Sequence, residues 1–363
     1  MPLTTVSPGM LDTTAQYYSF KNRIINGAMV IDQRNAGAAV TGTASLVYNL
    51  DRYASLVNTD GVMTFQRVAD APTGFQYSLK ATATTADASL SATQRAILLQ
   101  RIEGFNSADL MLGSASAVPF TLSFWVKSSL TGTFGGAFQN NDSNRAYPFT
   151  YSISAANTWE QKTVTITGDT TGTWNTTTGT GLQICWGLGV GTTYSATAGS
   201  WQAGDFNSAT GGVSVIGTLN ATWYITGVQL EKGSTATSFD YRPYGAELAL
   251  CQRYYAKSYN QSTASGSNVG TTNSVQGLNG TDGNQIQGFR TPVTMRASAT
   301  ARVWTLSGTL ASLSTTSEVN SNINDGSWSP YGMGDQGCRA IVGTGGLTSG
   351  TAYVYHWDAS AEL

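Results

Sequence analysis

The sequence predicts an all-β protein: a jelly-roll β-sandwich, then a short connector helix, then a smaller C-terminal β-sandwich. Three observations carry this expectation. Apolar residues alternate with polar ones over many short runs, the period of a strand with one face on a core. Turn-forming Gly, Thr, Asn and Asp recur between those runs. One segment alone, near residue 245, breaks the period-two rule. Many strands with such turns and almost no helix signal point to a sandwich.

Residues 1–21 are turn-rich and weakly patterned, and are expected to be an N-terminal attachment segment that orders against a partner, with a simply mobile terminus as the alternative. Residues 22–244 form the predicted jelly-roll domain. In the run from Phe120 to Lys127, positions 120, 122, 124 and 126 are apolar and 121, 123 and 127 polar. The alternation returns in Val164 to Thr167, and from Leu182 to Val190 every even position is apolar. Each reads as a half-buried strand. Thr131-Gly132-Thr133, Asn140-Asn141-Asp142 and Gly168-Asp169-Thr170 supply turns. Ile225 to Gly233 reads as the last strand of this domain.

Residues 245–257 are the predicted connector helix. Pro243 suits a first turn, Leu248, Cys251 and Tyr255 fall at i, i+3 and i+7, and Glu247, Arg253 and Lys257 complement the macrodipole. Ser258 to Asn284 is Ser/Gly/Asn/Thr-rich and loop-like. The strand-like runs Phe289 to Arg296, Ala301 to Leu306 and Ala352 to Trp357 then place a second β-domain over residues 258–363. In the last run Tyr353, Tyr355 and Trp357 share one face, and Ala352, Val354 and His356 the other.

Composition narrows the function. The chain has 363 residues, of which 40% are hydrophobic, ample for two cores. Charged residues make up 11%, against roughly 25% in an average domain. Such a surface suits hydroxyl-rich ligands and self-association. A formal net charge of −2 leaves no footprint for nucleic acid or an anionic membrane surface. Cys185, Cys251 and Cys338 lack disulfide or metal-ligand spacing, and Cys185 and Cys251 read as small buried residues. Met1-Pro2-Leu3-Thr4-Thr5 has neither the basic nor the apolar region of a secretory leader, and no apolar run is long enough to span a bilayer. Synthesis in a cytosol is the expectation.

A set of motifs resembles the tail-fibre proteins of bacteriophages and prophages. They are Asn22-Arg23-Ile24-Ile25-Asn26-Gly27-Ala28-Met29, Asp32-Gln33-Arg34, Asp51-Arg52-Tyr53, Gln100-Arg101-Ile102-Glu103-Gly104, Ser123-Phe124-Trp125-Val126-Lys127-Ser128, Thr158-Trp159-Glu160 and Gly227-Val228-Gln229-Leu230-Glu231-Lys232-Gly233. They run in order across residues 22–257. The resemblance implies a carbohydrate-binding-module-like jelly roll in a homotrimeric fibre of the virion. Its N-terminal segment would meet phage tail or adaptor proteins, and its C-terminal domain would be the receptor-binding tip for a host surface glycan or outer-membrane protein. The protein would be made in the host cytoplasm and act without enzymatic chemistry. Two alternatives stand beside this: a structural tail connector without receptor contact, and a surface-glycan depolymerase.

The residues themselves offer little for catalysis. His356 is the one histidine and sits in a strand pattern, which fits a structural role better than a general base. Two carboxylates alone can run glycoside hydrolysis, but Asp142, Asp169, Asp205, Asp325 and Asp335 all lie in turn-like stretches. Gly187-Leu188-Gly189-Val190-Gly191 and Gly343-Thr344-Gly345-Gly346 lack the Lys-Ser/Thr of a phosphate loop. No cofactor is implied. Jelly rolls of the carbohydrate-binding type often hold a structural Ca²⁺, but no loop here has the dense alternating Asp pattern that would call for one, so the metal is left unassigned.

Binding chemistry is better supplied, with nine Trp and 17 Tyr. Sugar C–H faces pack on aromatic rings while Asn, Asp and Gln meet the hydroxyls. Trp125 and Trp186 lie in strand runs and read as core or interface residues. Trp174 and Trp201 lie in loop-like contexts, and Asp325, Trp328 and Tyr331 share a long polar loop of the second domain. These five are the candidate receptor or glycan contacts. Packing under their own loops, or at a trimer interface, is the alternative for each ring.

Overall fold

The computed structural model describes residues 21–278, 285–315, 322–323, 328–344, 347–348 and 351–363. Of the expected attachment segment, only Lys21 lies within them. The first sandwich is built from β1 (Val40–Thr41), β2 (Val47–Leu50), β3 (Tyr53–Asn58), β4 (Val62–Val68), β5 (Ser78–Thr85), β6 (Arg95–Glu103), β7 (Phe120–Ser128), β8 (Gly132–Gln139), β9 (Arg145–Ile153), β10 (Glu160–Ile166), β11 (Thr180–Val190), β12 (Ser195–Ala196), β13 (Gln202–Ala203), β14 (Ser208–Ala209) and β15 (Thr222–Lys232). A six-stranded sheet in the order β1-β4-β5-β15-β7-β10 faces a seven-stranded sheet in the order β13-β9-β8-β11-β6-β3-β2. This is the jelly roll that the alternation predicts.

Alternation sets the core. The even positions of β7, Phe120, Leu122, Phe124 and Val126, are all fully buried, beside Trp186 of β11 and Trp223 of β15. Phe124 meets Tyr151 edge-on at 5.1 Å and Trp186 at 6.0 Å, the geometry that aromatic quadrupoles favour. The Trp223 indole N–H donates to the Tyr151 hydroxyl at 3.1 Å, which removes one buried polar penalty. In β15 the inward positions change from Trp223 and Ile225 to Val228 and Leu230. The register against β7 shifts between Thr226 and Gln229, with Gly227 at φ +60° inside the bulge. A Cβ at Gly227 would lie 2.7 Å from the Phe75 ring, so only glycine fits there.

Two expectations for this sandwich are corrected. Strand β11 is buried on both faces rather than half-buried, because Leu46, Tyr48, Leu56 and Val190 cover a second apolar cluster of Ala54, Ile97, Leu99 and Cys185. The predicted helix over 245–257 is shorter: α1 spans Tyr244–Gln252, and β16 (Tyr255–Lys257) follows it. Backbone pairing of Tyr255 with Ser360 and of Lys257 with Asp358 wins over helix continuation. Arg253 does not serve the helix dipole but clamps Glu103 through two hydrogen bonds of 3.0 and 2.6 Å.

The second sandwich adds β17 (Val275–Leu278), β18 (Gln285–Gln287), β19 (Thr300–Trp304), β20 (Leu313–Thr315), β21 (Asn322–Ile323), β22 (Ser329–Gly334), β23 (Gly337–Val342) and β24 (Ala352–Ser360). β24 pairs with β16, β17, β19 and β20, while β18, β23 and β22 form a separate sheet. Both faces of β24 are covered: Tyr353, Tyr355 and Trp357 join the core, and His356 on the other face is fully buried too. The strand expected over Phe289–Arg296 is not there. That stretch makes one bridge, from Arg290 to Gly337, and otherwise turns.

The two sandwiches meet through buried charge. Glu362 accepts from Arg34 at 2.8 Å and also pairs with Arg52, and both carboxylate and guanidinium groups are largely withdrawn from solvent. Lys257 donates to the carbonyls of Gln33 and, at 2.6 Å, Thr263. Beside them Asp51 accepts from the Gln33 backbone and side-chain amides, both at 2.7 Å. Burial pushes its carboxyl up to about 6, against the pull of Arg34 and of those hydrogen bonds. A carboxyl raised above its unfolded value of about 3.9 favours the folded state in its protonated form. Its contribution is therefore full below about pH 4 and lost as the pH rises through about 6. Relative to the non-titrating Asp51→Asn variant, the unfolding free energy of the native chain is expected to fall from pH 4 to pH 7. The change should be at most about 3 kcal/mol by urea titration, and a rise over that interval would overturn the assignment.

Candidate functional site

The outer face of the six-stranded sheet carries side chains that the core does not use. Alternation sends Trp223 inward and Tyr224 outward from β15. Register then sets Tyr224 opposite Lys127 of β7 on one side and Lys80 of β5 on the other, with Gln66 of β4 opposite Lys80. A row Lys127–Tyr224–Lys80–Gln66 thus crosses four strands. The next row is all hydroxyl: Thr222 faces Thr82, Thr82 faces Thr64, and Thr64 faces Thr41. The threonines fit the pleat well and present hydroxyls along one line.

Trp159, in the turn before β10, folds over the end of the first row. Its ring meets Tyr224 edge-on at 6.1 Å, and its N–H reaches an Asp70 carboxylate oxygen at 3.3 Å. The Lys127 ammonium lies 4.3 Å from the Tyr224 ring centre and 5.1 Å from that of Trp159, in cation–π range of both. It also pairs with Asp70, whose side chain is half exposed. Burial alone would raise the Asp70 carboxyl, but the hydrogen bonds from Lys127 and Trp159 outweigh it and hold the group below its ordinary range. Trp125, one step further along β7, is also partly exposed. The assembly is a sheet-borne platform of partly exposed rings with a cation, an anion, an amide and hydroxyls around it. Rings on a rigid sheet lose little entropy on contact, which favours them as binding surfaces.

Four of the five residues singled out by sequence lie among the described residues, and none of the four joins this platform. Trp174 and Trp201 stack edge-on at 5.2 Å, and Tyr147 of β9 packs on Trp201 at 5.3 Å. Both tryptophans pack against the first core. Their N–H groups are used by backbone, Trp174 on the Thr171 carbonyl at 3.1 Å and Trp201 on that of Thr167 at 2.7 Å. Together they close the gap between the sheets. Trp328 is 2% exposed in the second core and offers no face to a ligand. Tyr331 is 57% exposed on β22, a strand where a loop was expected. Asp325 lies outside the described residues. Trp328 and Tyr331 therefore do not form one platform.

His356 is held in the second sandwich by Ser258 at Nδ1 (3.2 Å) and the Gly270 carbonyl at Nε2 (3.0 Å), stacked on Tyr259 at 4.3 Å. Burial lowers its pKa. Among the described residues no group of three or more His, Cys, Asp or Glu is placed to hold a metal ion, and no helix is long and apolar enough to cross a membrane. Two of the Asp turns are taken up structurally: Asp169 clamps Arg145 at 2.7 and 2.8 Å, and Asp205 accepts from Arg95 and Gln139.

No protein-family model matches the chain, and no curated protein does. Solved structures do. The enzymatically active domain of bacteriophage CBA120 tailspike protein 4 matches at 13% identity over 58% of this chain and 21% of that one, with a TM-score of 0.30. The match thus spans about a fifth of the tailspike chain. A family 11 carbohydrate-binding module from Clostridium thermocellum, in complex with a mixed-linked tetrasaccharide, matches at 6% identity over 53% and 96%, with a TM-score of 0.30. The N-terminal cellulose-binding domain of Cellulomonas fimi β-1,4-glucanase C matches at 16% identity over 51% and 90%, with a TM-score of 0.26.

Proposed function

We propose that this chain is a non-enzymatic tail-fibre protein of a bacteriophage virion, and that its jelly roll binds a host surface glycan on the outer face of the six-stranded sheet. The tail-fibre reading rests on the ordered motifs from Asn22 to Gly233. The glycan reading rests on one observation: Trp159 and Tyr224 frame Lys127 on a solvent-side sheet face, next to a line of four threonines. Pyranose rings present apolar C–H faces to aromatic rings, while Lys80, Gln66, Asp70 and the threonines supply donors and acceptors for hydroxyls. A homotrimer is proposed because weakly charged β-modules gain stability by covering their edges with copies of themselves.

The test is titration of host surface polysaccharide fragments into the full chain, by calorimetry, with Tyr224→Ala and Trp159→Ala alongside. Each variant is expected to weaken binding roughly tenfold or more, equivalent to about 1.4 kcal/mol, with the melting temperature nearly unchanged. Undiminished affinity in both variants would remove the sheet face from recognition. Absence of any glycan binding by the native chain would favour the structural-connector alternative. A solution mass equal to 38.2 kDa would sink the trimer.

A further inference from the structure

The second sandwich contains a cleft of about 470 Å³ at the tip of the β22–β23 hairpin, where the segment after β18 crosses it. Its walls are set by backbone. Cys338 N–H donates to the Phe289 carbonyl at 3.1 Å, and Thr291 N–H to that of Gln336 at 3.2 Å. Gly337, at φ +120°, lies so close to the crossing segment that a Cβ there would sit 2.1 Å from the Phe289 oxygen. Phe289 is in turn stacked on Trp357 of the core at 4.1 Å, with ring planes 7° apart. The cleft is therefore built on a rigid frame.

Its polar lining is Gln287, Arg290, Asp335, Gln336 and Arg339. Arg290 and Arg339 are exposed, and among the described residues neither makes an ion pair, a side-chain hydrogen bond or a ring contact. Every other lysine and arginine of the chain engages a carboxylate, a carbonyl or amide oxygen, or an aromatic ring, down to Arg296 on three backbone carbonyls and Lys80 over Tyr224. In a chain with so few charges, two idle guanidiniums lining one cleft are an exception. The lining carries two positive charges against the single carboxylate of Asp335. Guanidinium forks suit the planar oxygens of carboxylates and the tetrahedral oxygens of phosphates, and the two glutamines add donors and acceptors for hydroxyls.

The geometry points to a second ligand site, in which Arg290 and Arg339 hold an oxyanion carried by a saccharide, either the carboxylate of an acidic sugar or a sugar phosphate. The oxyanion requirement stands on this cleft alone, whereas the saccharide class rests on the function proposed above. The site is separate in sequence and structure from the Tyr224 row.

The test titrates the full chain with an oligogalacturonate, with glucose 1-phosphate and with a neutral cello-oligosaccharide. Double replacement Arg290→Ala with Arg339→Ala is expected to weaken the binding of the oligogalacturonate or of the sugar phosphate at least tenfold. Tyr224→Ala should leave that binding intact. Affinity for the preferred probe should fall steeply between 0.05 and 0.5 M salt, roughly as expected for exposed charge pairs. Which of the two acidic probes binds decides between carboxylate and phosphate. Arg290→Lys with Arg339→Lys, which keeps charge and fold, should lose part of the affinity by losing the fork. Neither acidic probe binding the native chain, or equal binding by the native and Ala-replaced chains, would overturn the site. A failure confined to the Tyr224 experiment would leave it standing.

Discussion

Arg52→Ala is expected to lower the stability of the chain by about 3–5 kcal/mol, the range for removing one partner of a buried ion pair. The Arg52 side chain is 1% exposed and Glu362, its partner, 7%. The guanidinium also donates to the Arg101 carbonyl and lies 3.6 Å from the centre of the Tyr254 ring. Without it, Glu362 keeps only Arg34, and a buried carboxylate loses half of its compensation. Exposed pairs elsewhere, such as Lys232 with Asp109, should contribute well under 1 kcal/mol when cut. The pair joins residues 310 positions apart, so the loss should appear as weakened coupling between the sandwiches. Urea unfolding of the native chain, Arg52→Ala, Glu362→Ala and the double variant gives the interaction energy directly. A loss below 1 kcal/mol for Arg52→Ala would mean that the pair is wet and the interface loose.

The same residues explain what the sequence discloses and what it withholds. The even-position rule located β7 and β11 because alternation is a local property, written into neighbouring residues. What covers the outer side of β11 is not local: Leu46 and Tyr48 come from another part of the chain, and Arg101 beside them reaches the carbonyl of Leu363 at 2.5 Å. The helix after Pro243 was legible from its period, but its end was decided by Ser360 and Asp358 claiming the backbone of Tyr255 and Lys257. Loop-like surroundings made Trp174, Trp201 and Trp328 look available, although an aromatic residue among polar neighbours can equally be the plug of a core. Tyr224 was readable in principle, since two adjacent aromatics in one strand must face opposite ways. Arg290 and Arg339 were not, because the absence of a counter-ion becomes visible only once every other lysine and arginine has found its partner.

Asn22→Ala should cost about 3 kcal/mol, although it removes neither a charge nor an apolar contact. The Asn22 side chain is buried and makes three bonds to backbone: its amide donates to the Val228 carbonyl at 3.1 Å, and its oxygen accepts from Ile24 at 2.9 Å and Leu230 at 3.0 Å. Truncation leaves three buried backbone groups without partners, each worth roughly 1–3 kcal/mol and only partly relieved by relaxation. Around it the opening and closing motifs of the jelly roll interlock. Arg23 N–H donates to the Leu230 carbonyl at 2.9 Å, Val228 N–H to that of Gly27 at 3.0 Å, and Arg242 reaches the carbonyls of Asn22 and Ile24. Gly27 has no room for a Cβ, which would lie 2.2 Å from the Val228 oxygen. The two motifs that most resemble phage tail fibres are thus halves of one clasp, and their residue types follow from backbone satisfaction. Asn22→Asp, which keeps the acceptor and loses the donor, should fall between the native chain and Asn22→Ala in urea unfolding. A loss under 1 kcal/mol for Asn22→Ala would show that water replaces the side chain. If the clasp is structural, folded Asn22→Ala should bind glycan as the native chain does, whereas Tyr224→Ala should reverse that pattern by keeping stability and losing affinity.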